Sequence, residues 1–128
     1  MINVRVLQVN TDPENVGDLI AAVGRGHTDA NGWQMPKRCV SGDLVVWYAA
    51  GLQKFVAWGW VEEHPERVHE GFGRYRGQVA DIQAIEPEID RRKVIKDCGF
   101  DGGHQGPQYV PDEVAADFLR SVGLGVVA

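Results

Sequence analysis

The histidines, cysteines and serines of this chain are its candidates for metal or nucleophilic chemistry, and their spacing favours neither. His64 and His69 stand five apart, off a common helical face. Neither they nor His27 and His104 pair with a cysteine or carboxylate at zinc-like spacing. Cys39 and Cys98 have no metal spacing and read as free thiols. Ser41 precedes Gly-Asp at a strand start, Ser121 falls in a helix, and no nucleophile elbow is present. Gly71-Phe72-Gly73 and Gly102-Gly103 are isolated glycines, not a phosphate loop after a strand. Asp81 lies mid-strand without a partner to make it a base. The expectation is a protein that is not an enzyme, with no metal and no cofactor. What stands out instead is aromatic residues beside cations. Trp33 lies between Asn31-Gly32 and Lys37-Arg38, and Phe72 and Tyr75 alternate with Arg74 and Arg76.

The stretch 42–61, GDLVVWYAAGLQKFVAWGWV, holds three of the four tryptophans. Asp43 to Ala49 and Lys54 to Glu62 are rich in β-branched and aromatic residues, and Gly51-Leu52-Gln53 joins them, so a hairpin is expected. Strand alternation puts Leu44, Val46 and Tyr48 on one face and Val45, Trp47 and Ala49 on the other. On the second strand Val56, Trp58 and Trp60 oppose Phe55, Ala57, Gly59 and Val61. Both faces are apolar, so the hairpin belongs inside a barrel or beneath helices.

Val4 to Val9 reads as a first strand. A helix follows, with Asp12 as cap and Pro13 in the first turn. Its apolar stripe is Val16, Leu19, Ile20 and Val23, and Gly24 or Gly26 ends it. His27 to Ser41 shows no period and reads as loop, as does EEHPERVHEGFGRYRG from Glu62 to Gly77. Gln78 to Ile85 is a third long strand, Asp90 to Cys98 a short helix closed by Gly99, and Pro111 to Val122 a last helix. The order predicts an α+β domain, a small curved sheet or barrel with helices at its rim.

A chain of 128 residues with 44% hydrophobic and 24% charged residues suits one globular domain. No run approaches the roughly 20 apolar residues of a membrane span, and the first residues look like a strand rather than a signal peptide. A cytoplasmic protein is expected, nucleoid association being compatible with it. The net charge of −5 argues against indiscriminate nucleic-acid binding but not against a local basic face.

Several of these stretches together resemble the EVE and YTH branches of the PUA-like superfamily. They are VLQVNTDPENV from Val6 to Val16, the glycine-preceded Trp33, the Gly-Asp hairpin, and CGFDGGHQGPQYVPDEVAADFL from Cys98 to Leu119. The resemblance covers roughly Val4 to Leu119. It implies a small, strongly curved β-barrel with surrounding helices, which binds one modified base swung out of its strand. By the same resemblance Trp33 is a wall of the base pocket. Asn10 and Thr11 face the base edge, Asn15 bonds the ring, and Tyr48, Ala49 and Ala50 form the floor. A second cage tryptophan has no match; Phe72 or Tyr75 replaces it, or else Trp58 or Trp60. Cations beside these aromatics suit phosphate contact, so Lys37, Arg38, Arg74 and Arg76 are the candidates. The implied function is a non-catalytic DNA-binding reader, most simply of 5-methylcytosine, with a nuclease on another chain as a partner. The alternatives are a reader of modified RNA, or a small-molecule or protein-interaction module using the same pocket.

Overall fold

In the computed structural model, which describes residues 2–63, 65–67, 75–104 and 106–125, a five-stranded sheet divides the protein into two cores. Its strands are β1 (Val4–Val9), β3 (Leu44–Ala49), β4 (Lys54–Val61), β7 (Val79–Asp90) and β8 (Gln108–Tyr109), in the order β7-β4-β3-β1-β8. β1 runs parallel to β3, and the other pairs are antiparallel. A second sheet of three short strands, β2 (Trp33–Met35), β6 (Tyr75–Gly77) and β5 (Glu66–Arg67), lies in the order β2-β6-β5. The helices are α1 (Pro13–Arg25), α2 (Arg91–Cys98) and α3 (Asp112–Ser121). This is an α+β fold, as expected. The curved barrel is not seen: among the described residues hydrogen bonding makes two separate sheets and no closed ring.

The central strands are apolar on both sides because both sides are covered. Val4, Val6, Leu44, Val46 and Tyr48 face a core completed by Val94 of α2 and Phe118 and Leu119 of α3. Leu7, Val9, Val45 and Trp47 face the other, completed by Leu19 and Ala22 of α1 and Trp33 and Met35 of β2. The faces of β3 follow strand alternation, but those of β4 do not. Trp47 pairs with Ala57 and Tyr48 with Phe55, which leaves Val56 as an extra residue. This bulge turns Phe55 to the side of Trp58 and Trp60, where its ring lies 5.2 Å from Tyr48 and 5.4 Å from Phe118. The expectation that Phe55 opposes the two tryptophans is corrected by that one inserted residue.

The helix ends are chemically marked. The Asp12 carboxylate accepts the Glu14 N–H at 2.9 Å, and Gly26, at φ 86, closes α1 by donating its N–H to Ala22 O. Asp90 and Gly99 do the same for α2. The α1 stripe, however, is rotated from the expected one. Leu19 and Ala22 are buried, whereas Val16 and Ile20 are 38% and 68% exposed. The inward face runs Asn15, Asp18, Leu19 and Ala22, and its first turns are polar because they border a cavity.

Short elements occupy two stretches expected to be loop. β2 and the bridge of His27 with Ala80 lie within 27–41, and β5 and β6 lie within 62–77. No helix of the described residues is long and apolar enough to cross a membrane.

Candidate functional site

A cavity of about 520 Å³ opens between α1, the segment 28–34, the end of β1 and the loop before β8. Its lining is mostly polar: Gln8, Asn10, Asn15, Asp18, Thr28, Asp29, Asn31, Gln34 and Arg76, with Trp33, Ala22 and Pro107 as apolar wall.

Trp33 is 6% exposed, its ring edge-on to Trp47 with centroids 5.7 Å apart. Its Nε1–H donates to Gln8 O at 3.3 Å, which ties the wall to β1. The chain reaches Trp33 through Gly32, whose φ of 66 is a left-handed conformation. A Cβ there would come within 2.5 Å of Gly77 O, so only glycine allows β2 to approach β6 at that point. Arg76 donates from Nε to Asn31 O at 2.9 Å and from Nη2 to Gly32 O at 3.2 Å. Buried Thr28 accepts the Val79 N–H at 3.1 Å and donates to Gln78 Oε1 at 2.6 Å. The rim is therefore fastened on both sides of Asp29 and Asn31.

The two asparagines have fixed polarity. Asn10 Oδ1 accepts the Asp12 N–H, and Asn15 Oδ1 accepts the Asn10 N–H, each at 2.9 Å. A backbone N–H can be met only by the carbonyl end of an amide, so each Nδ2 is a donor that has no partner among the described residues. Gln8 is oriented oppositely. Its Nε2 donates to His104 O, leaving Oε1 as an acceptor.

The wall from the C-terminal half is held by an ion pair outside the cavity. Arg91 binds Asp101 through Nε and Nη2, both at 2.7 Å, and Asp101 also accepts the Gly103 N–H at 2.9 Å. The guanidinium, with that backbone bond, holds the Asp101 carboxyl down at about 2. Beyond it, His104 O takes N–H donors from both Gln8 and Gln108, which brings Gly106 and Pro107 to the cavity.

Asn10, Asn15, Trp33 and Arg76 are thus brought together. The other sequence-derived residues are not part of the lining. Tyr48 points to the opposite side of the sheet from Trp47, into the core with Phe55, and burial pushes its hydroxyl up. Ala49 and Ala50 end β3, with the Ala50 N–H bound to Val9 O, and Thr11 lies exposed beside the Gly51 turn. Tyr75 is half-buried opposite Met35. Trp58 and Trp60 pack edge-on, 6.1 Å apart, against the core across the sheet from Trp33, so neither completes a cage with it. Lys37 and Arg38 follow β2 away from the cavity. Phe72 and Arg74 lie outside the described residues.

Asp18, Thr28, Asp29, Asn31, Gln34, Gly106 and Pro107 line the cavity and were not expected. A signal for part of them is present in the sequence, where Asn15, Asp18 and Ala22 recur at the spacing of one helical face.

Among the described residues no three His, Cys, Asp or Glu side chains converge as a metal set would. The Cys39 thiol is buried beside Asp43 and is pushed up to about 12, first by burial and then by that carboxylate. Such a thiol is a poor nucleophile.

No family model and no curated protein matches this chain. Solved structures share its fold. Protein Atu2648 from Agrobacterium tumefaciens superposes with a TM-score of 0.66 at 11% identity, over 96% of this chain and 94% of its own. Rpa0253 from Rhodopseudomonas palustris superposes with a TM-score of 0.64 at 12% identity, over 98% of this chain and 94% of its own. At that identity the likeness is one of fold alone.

Proposed function

We propose that the cavity receives one modified base of DNA, 5-methylcytosine first of all, swung out of its strand and bound without chemical change. In this reading the chain is an EVE- or YTH-like member of the PUA-like superfamily, with its five-stranded sheet in the place of that barrel. The observation that carries the reading is the pair of asparagine amides. Their oxygens are held by backbone N–H groups, and both residues line the cavity with Trp33. The Watson–Crick edge of cytosine offers two acceptors, O2 and N3, and one donor, the 4-amino group. Two amide donors and the free Gln8 Oε1 supply the complement, and a flipped base is read by such edge contacts plus an aromatic wall. Ala22 and Trp33 provide apolar surface for a methyl group. One methyl is worth about 1 kcal/mol, so a preference of about fivefold over unmodified cytosine is expected.

The test is a fluorescence-polarisation titration of matched DNA duplexes carrying 5-methylcytosine, cytosine or a methylated adenine, at two salt concentrations. Preference for the methylated cytosine, weakening with salt, supports the reading. Tighter binding to an RNA of the same sequence would move it to modified RNA, through a 2′-hydroxyl contact. Binding that is indifferent to salt would favour a small polar heterocycle, a reading to which the carboxylates of Asp18 and Asp29 in the lining lend weight.

Asn15→Asp is the sharpest variant. It keeps an oxygen for the Asn10 N–H and turns the donor end of the amide into an acceptor. It is expected to weaken binding of the methylated duplex at least about tenfold while leaving thermal stability within about 0.5 kcal/mol.

A further inference from the structure

The two stretches of chain that leave the cavity meet again outside it. From Trp33 and Gln34 the chain runs through β2 to Lys37 and Arg38, and from Gly106 and Pro107 it runs into β8. They join where the Arg38 N–H donates to Tyr109 Oη at 2.8 Å. The guanidinium carbons of both Arg5 and Arg38 lie over the Tyr109 ring, 4.5 and 5.5 Å from its centroid.

These two cations are not equivalent. Arg5 is mostly buried and has a carboxylate, Asp43, at 3.4 Å. Arg38 and Lys37 are exposed, and among the described residues neither is within salt-bridge distance of a carboxylate. Tyr109 itself is 36% exposed on an edge strand two residues long. The result is an ordered shelf of positive charge on an aromatic base, one guanidinium compensated from within and the outer charges without an internal partner.

We propose that this shelf binds the phosphodiester backbone of the DNA strand that carries the swung-out base. Tyr109 stands two strand residues beyond Pro107, about 7 Å, which places the shelf beside the phosphates that flank the swung-out base. Arg38 and Lys37 contact the phosphates there. Arg5 and Tyr109 act as positioning residues: the ring held over Arg5 fixes the 37–38 segment through its hydroxyl. The proposal rests on the reading of the cavity as a base site, and it places the backbone contacts on the β8 edge of the molecule.

The experiment measures the dependence of affinity on salt for the full chain and the methylated and unmethylated duplexes. The variants are Arg38→Gln, Lys37→Gln and, as a charge-matched control, Arg92→Gln on α2. A contact to one phosphate contributes about 0.9 to the slope of log affinity against log salt. Arg38→Gln is expected to flatten that slope by about 1, Lys37→Gln by up to as much, and Arg92→Gln not at all. The ratio of affinities for the two duplexes stays unchanged in all three. Tyr109→Phe, which keeps the ring and removes the acceptor of the Arg38 N–H, is expected to flatten the slope part of the way. Equal flattening by Arg38→Gln and Arg92→Gln, or none by Arg38→Gln, overturns the shelf. If the wild type shows the salt slope and Arg38→Gln flattens it by about 1 but the duplexes bind equally, the base-reading proposal fails and the shelf stands as a backbone contact alone. If it shows the preference with a slope that Arg38→Gln leaves alone, the reverse holds, and a wild type that binds neither duplex overturns both.

Discussion

Trp33 belongs at once to the core and to the cavity wall, and that double membership decides how it answers to mutation. With its ring 6% exposed and edge-on to Trp47, Trp33→Ala is expected to cost about 3–5 kcal/mol of stability, measured by chemical denaturation. A loss of binding in that variant would therefore say little about recognition, which is why Asn15→Asp is the better probe. Gly32→Ala acts on the same wall from the backbone. The added Cβ meets Gly77 O at 2.5 Å in a left-handed conformation, so β2 must move away from β6. A loss of about 1–3 kcal/mol is expected, with a shift in tryptophan fluorescence as the ring beside it is displaced. By contrast Ile20→Gln, on the exposed side of α1, should change stability by no more than about 0.5 kcal/mol.

At the scale of elements, residues 99–104 are held by one ion pair and one shared carbonyl. Asp101 carries a carboxyl held at about 2 in the folded protein by Arg91, below the roughly 3.9 of an unfolded chain. Its contribution to stability is therefore full above about pH 4 and is lost as pH falls through about 2. Asp101→Asn should be less stable than wild type at pH 7, and the difference should close between about pH 4 and pH 2 in denaturation curves taken across that range. The elements also show what a sequence conveys. Asp12-Pro13 and Gly26 mark the ends of α1 because capping chemistry is local, and the β-branched runs of β3 and β4 mark a hairpin. β2, β5, β6 and β8, with two or three residues each, are too short to show any period. The extra residue at Val56 and the left-handed Asp81, φ 53, bend strands whose composition reads as regular. Ile20 reads as core because the helical stripe is apolar, whereas the inward face carries Asn15 and Asp18 to line a cavity that no local pattern announces.

Across the whole molecule, the sheet separates structural duties. The side of Phe55, Phe118 and Trp58 is closed by α2 and α3, and the side of Trp47 is closed by α1 and β2 around the cavity. Asn10, Asn15, Trp33 and Arg76 could be picked from the chain because a family pattern and aromatic-cation clusters point to them. Gly106 and Pro107 could not, since their place depends on a β8–β1 pairing formed between distant parts of the chain. The resemblance places Tyr48 on the floor, but its alternation on β3 sends it to the other side of the sheet.

The link from Gln8 to His104 joins residues 96 apart in sequence, and with it the final wall of the cavity closes. The cavity is therefore complete only with Gly106 and Pro107 in place, whereas β1, β3, β4 and β7 pair without them. On the proposed reading, a bound base would touch both the end of β1 and the loop before β8, and so hold the β8 edge closed. Opening of the β8 edge, seen as amide exchange at Val110, whose N–H is bound to Val4 O, should slow in proportion to occupancy.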